Sequence, residues 1–511
     1  MNDSPKKTML FVTLADISAY GVRCLCAYLQ SRGRVADTVS LRLSDNRRSL
    51  LGRRPSGEVP EAMFENFLAF AQRYDCIGVS LFSDGLGESA RITEEVKKRY
   101  PDKTVIWGSI HPTLKPGECL AHADYVCVGE GYYSVEQLLE RLDANEEVGP
   151  RDLPEGIWCR DGDGSAHQNG CSRLCLDLDT LPHPDYSRET SYVRNDDNTI
   201  SSLDRRGYRR YLDYAYYTMF SQGCPNSCSY CCNYALKKLN KGYAKIRKHS
   251  VSYIIDEING ARRHYTFYNV FFMDDSFILM DDEVFDEFVE RYPKEVGLPF
   301  IVTGFIPRYT QSSHVDRLVE AGMIRGRIGV QTGSSKMLGV YNRKQPNEEI
   351  VRVSEFFSKH RKKIVPTGYD IILDGYNETI EDKIETAVLI SKIKGPFILN
   401  LASLKAYPGT AIADRMDNYR PGDSYVRVAD TVINSVIGLQ SIVRIPDPIL
   451  GWVLRRKGLL QKSVPGVLTA LIYYAILARK MIYHLRHGEY SSKPCWVVDV
   501  VRRLRGRRCA A

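Results

Sequence analysis

One short loop constrains this chain more than any other stretch. Ser221-Gln222-Gly223-Cys224-Pro225-Asn226-Ser227-Cys228-Ser229-Tyr230-Cys231 sets three cysteines as C-x3-C-x2-C, directly after the strand-like run Tyr216–Phe220. Three thiolates on one tight loop hold three corners of a cubane iron–sulfur cluster, and one iron is left open when no fourth ligand is supplied. Half of a zinc site or a reactive thiol group are the competing readings. Zinc takes four ligands, usually as two separated pairs, and no second pair follows at a matching spacing.

On both sides of the loop the hydrophobic pattern alternates between strand and helix. Before it, the apolar runs Met9–Leu14, Val35–Leu41, Cys76–Phe82, Thr104–Trp107 and Tyr125–Val128 read as buried parallel strands. The helical patterns Val22–Ser31, Glu61–Arg73, Ser89–Arg99 and Ser134–Leu142 separate them. Such alternation predicts a doubly wound sheet that binds ligands at the C-terminal strand ends. After the loop come strand runs at Val270–Met273, Phe300–Thr303, Arg327–Gln331, Ile364–Leu373 and Ile398–Leu404, spaced by amphipathic helices. With the strand before Cys224 they make six βα units. The expected organisation is 1–145 Rossmann-like, 146–210 a turn-rich linker, 211–415 a partial (β/α)6 barrel and 416–511 helical.

The loop, with an aromatic before its last cysteine, resembles the cluster loop of radical S-adenosylmethionine (SAM) enzymes. Gly108-Ser109-Ile110-His111-Pro112-Thr113, Val128-Gly129-Glu130-Gly131 and Ser80-Leu81-Phe82 resemble the cobalamin-binding domain of one large subclass. So does the linker run Asp177-Leu178-Asp179-Thr180-Leu181-Pro182. Further resemblances lie at Phe272-Met273-Asp274-Asp275-Ser276-Phe277, Gly329-Val330-Gln331-Thr332-Gly333-Ser334 and Tyr407-Pro408-Gly409-Thr410. The resemblance implies a [4Fe–4S] cluster on Cys224, Cys228 and Cys231, with Cys232 as a buried spare. It places Tyr230 near the adenine of SAM and has Asp274 and Gln331 hold SAM's polar groups, while Ser80 and Gly108 line a cobalamin site. Two departures stand out. Ser18 replaces the histidine of the lower-ligand motif D-x-H-x-x-G at Asp16–Gly21, and Ser109 replaces the second glycine of a pair. Asp374, Tyr376 and Asn377 also depart from the usual I-x-G-x-P-G-E-T. His111, Cys171 and Cys175 read as structural.

The implied reaction is methylation of an unactivated carbon: a deoxyadenosyl radical removes hydrogen, and the carbon takes methyl from methylcobalamin. A cobalamin-free radical dehydration, cyclisation or oxidation is one alternative. A non-catalytic iron–sulfur electron-transfer protein is the other, and ordered SAM-contact motifs argue against it. The expected partners are a small-molecule or lipid substrate and an electron donor such as flavodoxin or ferredoxin, with no nucleic acid.

Composition adds the setting. The chain has 14 cysteines but starts with a short, polar, basic segment rather than a secretory leader, which predicts a reducing cytoplasm. A net charge of +8 gathers toward the C-terminus. There Val464–Ala478 is apolar and basic residues follow it, ending in a tail with Arg502, Arg503, Arg505, Arg507 and Arg508. The stretch reads as too short to span a bilayer. It leaves two expectations: peripheral membrane contact, or a helix packed over the barrel.

Overall fold

The structure is a computed structural model, and it describes residues 5–14, 18–41, 60–144, 148–212, 214–416, 431–491 and 495–504. The chain divides into two compact units. One comprises 1–212 with 235–242 and 260–266, and the other comprises the remainder.

The first unit is built on a nine-stranded sheet. Its centre is five parallel strands, β1 (Met9–Thr13), β2 (Ala36–Ser40), β3 (Cys76–Ser80), β4 (Thr104–Gly108) and β5 (Tyr125–Cys127), in the order β5-β4-β3-β1-β2. Nearly every residue of these strands is buried because helices cover both faces, which is why they read as continuous apolar runs rather than alternating ones. The core between sheet and helices holds Trp107, Phe64 and Phe67.

The 146–210 region is more ordered than a linker. β6 (Ile157–Arg160) and β7 (Ala166–His167) extend the sheet antiparallel beyond β5, whereas β8 (Ser191–Arg194) joins β2 in parallel and carries β9 (Ile200–Ser202). Arg23 fastens this region down. Its buried guanidinium donates to the carbonyls of Ser18 and Asp185 and to Ser191 Oγ, and lies 4.4 Å over the Tyr186 ring.

The second unit contains six parallel strands in chain order: β10 (Ala215–Thr218), β13 (Asn269–Phe272), β14 (Phe300–Phe305), β15 (Met323–Gln331), β16 (Thr367–Leu373) and β17 (Phe397–Ser403). The remaining two, β11 (Ser221–Gln222) and β12 (Arg247–Lys248), form a small antiparallel ribbon at the cysteine loop. Helices Val251–Ala261, Asp282–Glu295, Ser312–Glu320, Asn347–Lys359 and Ile380–Lys392 separate the sheet strands, as the periodicity predicts. A Cβ on Gly326 would stand 2.4 Å from the Phe357 ring, so Gly326, Ile328 and Val330 face the helices. The two-residue period then turns Arg325, Arg327 and Gly329 to the opposite, concave face.

The C-terminal region is helical, with segments Val432–Leu439, Asp447–Leu454, Lys457–Leu460, Gly466–His487 and Cys495–Leu504. The turn after the long helix is tied to the N-terminal ends of the strands. Asn269 exchanges hydrogen bonds with Gly488 O and Tyr490 N, and buried Arg325 pairs with Glu489 at 3.7 Å. Arg505, Arg507 and Arg508 lie outside the described residues, and the side chains of Arg502 and Arg503 are likewise not described.

Candidate functional site

The cysteine loop hangs from the C-terminal end of β10 and is held from both sides. At its start a Cβ on Gly223 would stand 2.2 Å from Lys245 O, and φ is +106°; only glycine satisfies both. Farther along, Asn342 Nδ2 donates to Ser227 O (2.8 Å), Ser229 N to Tyr341 O (3.0 Å) and Ser229 Oγ to Val340 O (2.8 Å). The loop is thus clamped to the helix Ser335–Val340 that follows β15. Cys228 is buried, while Cys224, Cys231 and Cys232 are partly exposed. A hydrogen bond to Cys232, then burial, pushes the Cys231 thiol up, and the same bond pulls Cys232 down. Among the described residues no three His, Cys, Asp or Glu side chains converge to chelate one metal ion. A cubane does not ask for that, because each thiolate binds a different iron.

Asp274 does something other than what the sequence implies. Its carboxylate is buried, 2% exposed, and accepts from Phe220 N (3.0 Å), Ser221 N (2.6 Å) and Ser221 Oγ (2.6 Å). It therefore fixes the backbone entering the cysteine loop instead of offering itself to SAM's ammonium. The neighbouring Asp275 is the more exposed of the two residues, bonded to Asn233 Nδ2 at 2.9 Å, and desolvation of its carboxyl by the surrounding protein raises its pKa against that bond. Neither side chain caps the turn Phe277–Leu279. Beneath the loop, Glu257 Oε1 accepts from Tyr216 and Thr218 hydroxyls at 2.7 Å each, while Oε2 is buried without a partner. Burial pushes this carboxyl up to about 7.

The end of β15 supplies Gln331 and exposes a residue the sequence reading missed. Gln331 is 9% exposed, sits at φ +65° where β15 slips its register with β16, and keeps Oε1 buried and unpartnered. Arg343 reaches the same place. One terminal nitrogen donates to Tyr230 Oη (3.1 Å) and lies 3.7 Å from Cys228 Sγ; the other donates to Gly329 O (2.6 Å) and Gln345 Oε1 (3.0 Å). Nε is buried with no acceptor, and none of the guanidinium's partners among the described residues is a carboxylate. A partly buried cation with no counter-charge and an enclosed, unpaired Nε is unfavourable. An anionic cluster or a ligand carboxylate would supply that charge. Sequence could have flagged Arg343 only by its distance from Gln331 along the strand–helix turn.

Tyr230 packs edge-on against Tyr341 (5.3 Å) beside Met337, Ala406 and Ile412, and burial pushes its phenol up. Asp374 closes β16 at φ +56°. Burial opposes its charge, but Lys383 (2.6 Å), Ser403 and Asn434 hold its pKa below the usual value. Lower on the concave face a polar chain crosses three strands: Arg327 to Asp370 (2.8 Å), Asn400 to Asp370 (2.8 Å) and Lys480 to Asn400 (3.0 Å).

In the first unit, Thr13, Ser80 and Gly108 stand in register at adjacent strand ends. Phe82 follows β3 with 61% exposure, a large ring left open at the edge where doubly wound sheets bind ligands. Ser109 has φ +88° and ψ −163°, a region used almost only by glycine. His111 is 1% exposed, with Nδ1 on Ser83 Oγ at 2.9 Å, and burial holds its imidazole below its usual pKa. Cys175 is buried and hydrogen-bonds Asp177 O, and Cys171 packs on Gly129. Asp16 and Ile17 lie outside the described residues, while Ser18 uses its carbonyl on Arg23.

Small residues and a bare ring at one sheet edge, and three thiols beside an unneutralised cation at the other, suit a macrocycle and an iron–sulfur cluster respectively. Family models agree with that division: residues 7–139 match the B12 binding domain and residues 218–390 the radical SAM superfamily. The chain belongs to the radical SAM enzymes that carry a B12-binding domain. The cofactors of that class are a [4Fe–4S] cluster, SAM and cobalamin.

Among particular relatives, the chain is 23% identical to bacteriochlorophyllide d C-8(2)-methyltransferase of Chlorobaculum tepidum, over 69% of this chain and 70% of that protein. It is 21% identical to the uncharacterized methyltransferase PH0819 of Pyrococcus horikoshii, over 66% and 68%. Its fold resembles the radical SAM methyltransferase TsrM of Kitasatospora setae with cobalamin and [4Fe–4S] cluster bound (TM-score 0.60, 16% identity, 80% of this chain and 74% of that one). It also resembles the cobalamin-dependent SAM radical enzyme OxsB with aqua-cobalamin and SAM bound (TM-score 0.60, 13% identity, 98% and 75%).

Proposed function

We propose that the protein methylates an unactivated carbon of a small-molecule or lipid substrate. When bound, the cluster, SAM and cobalamin supply reductive SAM cleavage and a transferable methyl group. The chain's own residues position and exclude. Cys224, Cys228 and Cys231 ligate the cluster on a loop that Gly223 and Asp274 shape. Arg343 balances the charge at Cys228, and its free Nε and the free Oε1 of Gln331 meet SAM's carboxylate and amino groups. Tyr230 and Tyr341 wall the adenine side. Ser80, Gly108 and Phe82 would line the cobalamin edge, and Ser18 offers no imidazole as a ligand there. A donor such as flavodoxin or ferredoxin delivers the electron, in a reducing cytoplasm.

The observation carrying this reading is the partly buried Arg343, its Nε enclosed without an acceptor, against a cysteine loop in a chain that also bears a B12-binding domain. Anaerobic reconstitution with and without cobalamin tests it. Methyl transfer yields S-adenosylhomocysteine and 5′-deoxyadenosine together with a methylated product. Full-rate 5′-deoxyadenosine with no bound cobalamin and no S-adenosylhomocysteine would replace it with a cobalamin-free radical reaction.

A further inference from the structure

The helix Gly466–His487 has two halves of opposite character. Its C-terminal half is fastened to the barrel: Arg479 hydrogen-bonds Ser441 O, Lys480 Nζ reaches Asn400 Oδ1 at 3.0 Å, and His484 is fully buried. Its first 13 residues, 466–478, carry no charged side chain. Only a narrow stripe of them is docked: Thr469 is buried, and Ile476 lies 3.2 Å from where a Cβ on Gly438 would stand. Apart from the partly buried Ile472, the rest faces out. Val467 is 76% exposed and Leu471 62%, with Leu468, Tyr473, Tyr474 and Leu477 also exposed. A contiguous apolar face of this size on a folded chain marks an interaction surface.

From this geometry we infer that residues 466–478 lie on an anionic lipid surface, with the helix in the interfacial plane. The full 22-residue helix is longer than the apolar run in the sequence and is long and apolar enough to cross a membrane by length and composition; anchorage argues against crossing. The uncharged 13 residues rise only about 20 Å of the roughly 30 Å hydrocarbon core, and the next two, Arg479 and Lys480, are tied to Ser441 and Asn400. Charge selects the occupant. Residues 444–487 hold eight Lys and Arg against one acidic residue, Asp447. Arg444, Arg455, Arg456 and Lys462 are exposed, in or beside the segments that lead into the apolar face. Trp452 is 52% exposed, with the Arg456 guanidinium stacked 3.4 Å over it. An indole under a cation beside an apolar helix is the composition of a headgroup boundary. A second copy of this chain would bring the same positive charge to the contact, which opposes self-association.

The reconstituted holoprotein is floated with vesicles of phosphatidylcholine alone and of phosphatidylcholine with equimolar phosphatidylglycerol. Binding to the anionic vesicles is expected to be at least ~10-fold tighter, at about 1 kcal/mol per basic residue near the surface, and to fall in high salt. Tryptophan emission should shift to the blue on vesicle addition, and Trp452→Phe should remove most of that shift. Leu468→Glu with Leu471→Glu should abolish flotation at unchanged iron content and cluster absorbance. Should that pair fold poorly, Arg455→Glu with Arg456→Glu, both away from the core, should lower anionic binding alone. No flotation of the wild type on anionic vesicles overturns the proposal. So does a concentration-dependent dimer that the double glutamate variant dissolves, since the face would then join two copies. Neither result touches methyl transfer, which SAM product analysis reads separately.

Discussion

The two ligand edges of this protein are built on opposite principles. At the barrel edge, every part of the cysteine loop is over-determined: Gly223 has no alternative residue, Asp274 holds the backbone, and the Ser335–Val340 helix clamps the far half. At the B12-type edge, the strands simply end in small side chains, Thr13, Ser80 and Gly108, with one open ring at Phe82. A cofactor bound through covalent ligands demands fixed donors, which leave a spacing in the sequence. One held by shape and backbone approach demands the absence of bulk, which leaves glycine, serine and little else. Substitutions should therefore be all-or-none at the first edge and graded at the second.

The sharpest break is expected at the thiolates. Cys224→Ala, Cys228→Ala and Cys231→Ala should each lose cluster absorbance and reduce SAM cleavage to background, because a cubane missing a ligand is released or oxidised. Cys232→Ala should keep most of the cluster, although its loss also removes the hydrogen bond from Cys231. A variant at Cys232 that loses iron while one of the other three retains it would reverse the ligand assignment.

Arg343 follows. Arg343→Gln should weaken SAM binding by about 10- to 100-fold, as loss of charge-assisted hydrogen bonds costs ~1.5–3 kcal/mol. Arg343→Lys should recover only part, since an ammonium cannot serve four acceptors in one plane. Isothermal titration of the anaerobic protein reads this directly. Equal affinity in both variants would confine Arg343 to the cluster loop.

The pattern of what sequence could and could not give follows the same division. Buried parallel strands read as apolar runs, so β1, β3, β4 and the six barrel strands emerge within a residue or two or, at the long β15 and at β16, a few residues from their observed ends. The cysteine spacing reads by itself. Which of two adjacent carboxylates turns inward does not: Asp274 and Asp275 are alike in sequence and opposite in burial. Neither Arg343 nor β6–β9 has a local pattern. Arg343 is one arginine among many, and short edge strands between turns carry too few residues for a period. The long C-terminal helix runs past Ala478 because Arg479 and Lys480 reach back to the barrel, so charges that mark an end in sequence lie inside the helix.

Glu257 tests the barrel edge by pH. Its folded pKa, pushed up to about 7 by burial, exceeds the ordinary glutamate value of about 4.3. The protonated form is thus favoured by folding, and the stability it contributes is fully present below about pH 4 and lost as pH rises through about 7. The span corresponds to on the order of 3 kcal/mol at most. Glu257→Gln should flatten denaturation midpoints between pH 5 and 8, with Tyr216 and Thr218 still bonded. An unchanged slope would mean that Glu257 is ionised in the folded state.

The smallest effect belongs to the B12-type edge and bears on why Ser109 stands there. At φ +88° and ψ −163°, a serine carries roughly 1–3 kcal/mol of backbone strain. Replacing it with glycine removes that strain but adds about 1 kcal/mol of unfolded-chain entropy. Ser109→Gly should therefore stabilise the first unit by ~1 kcal/mol, a rise of about 2–4 °C in its thermal midpoint. Because Ser109 O is already used by Thr113 N and Oγ1, the loop should keep its shape and cobalamin retention should not fall. His111→Ala is the matching control: it should cost stability through Ser83 yet leave the lower-axial spectrum of bound cobalamin unchanged. A stabilised Ser109→Gly protein that no longer retains cobalamin would show that the strained serine hydroxyl is itself a ligand contact. The shape-built edge would then contain one fixed donor after all.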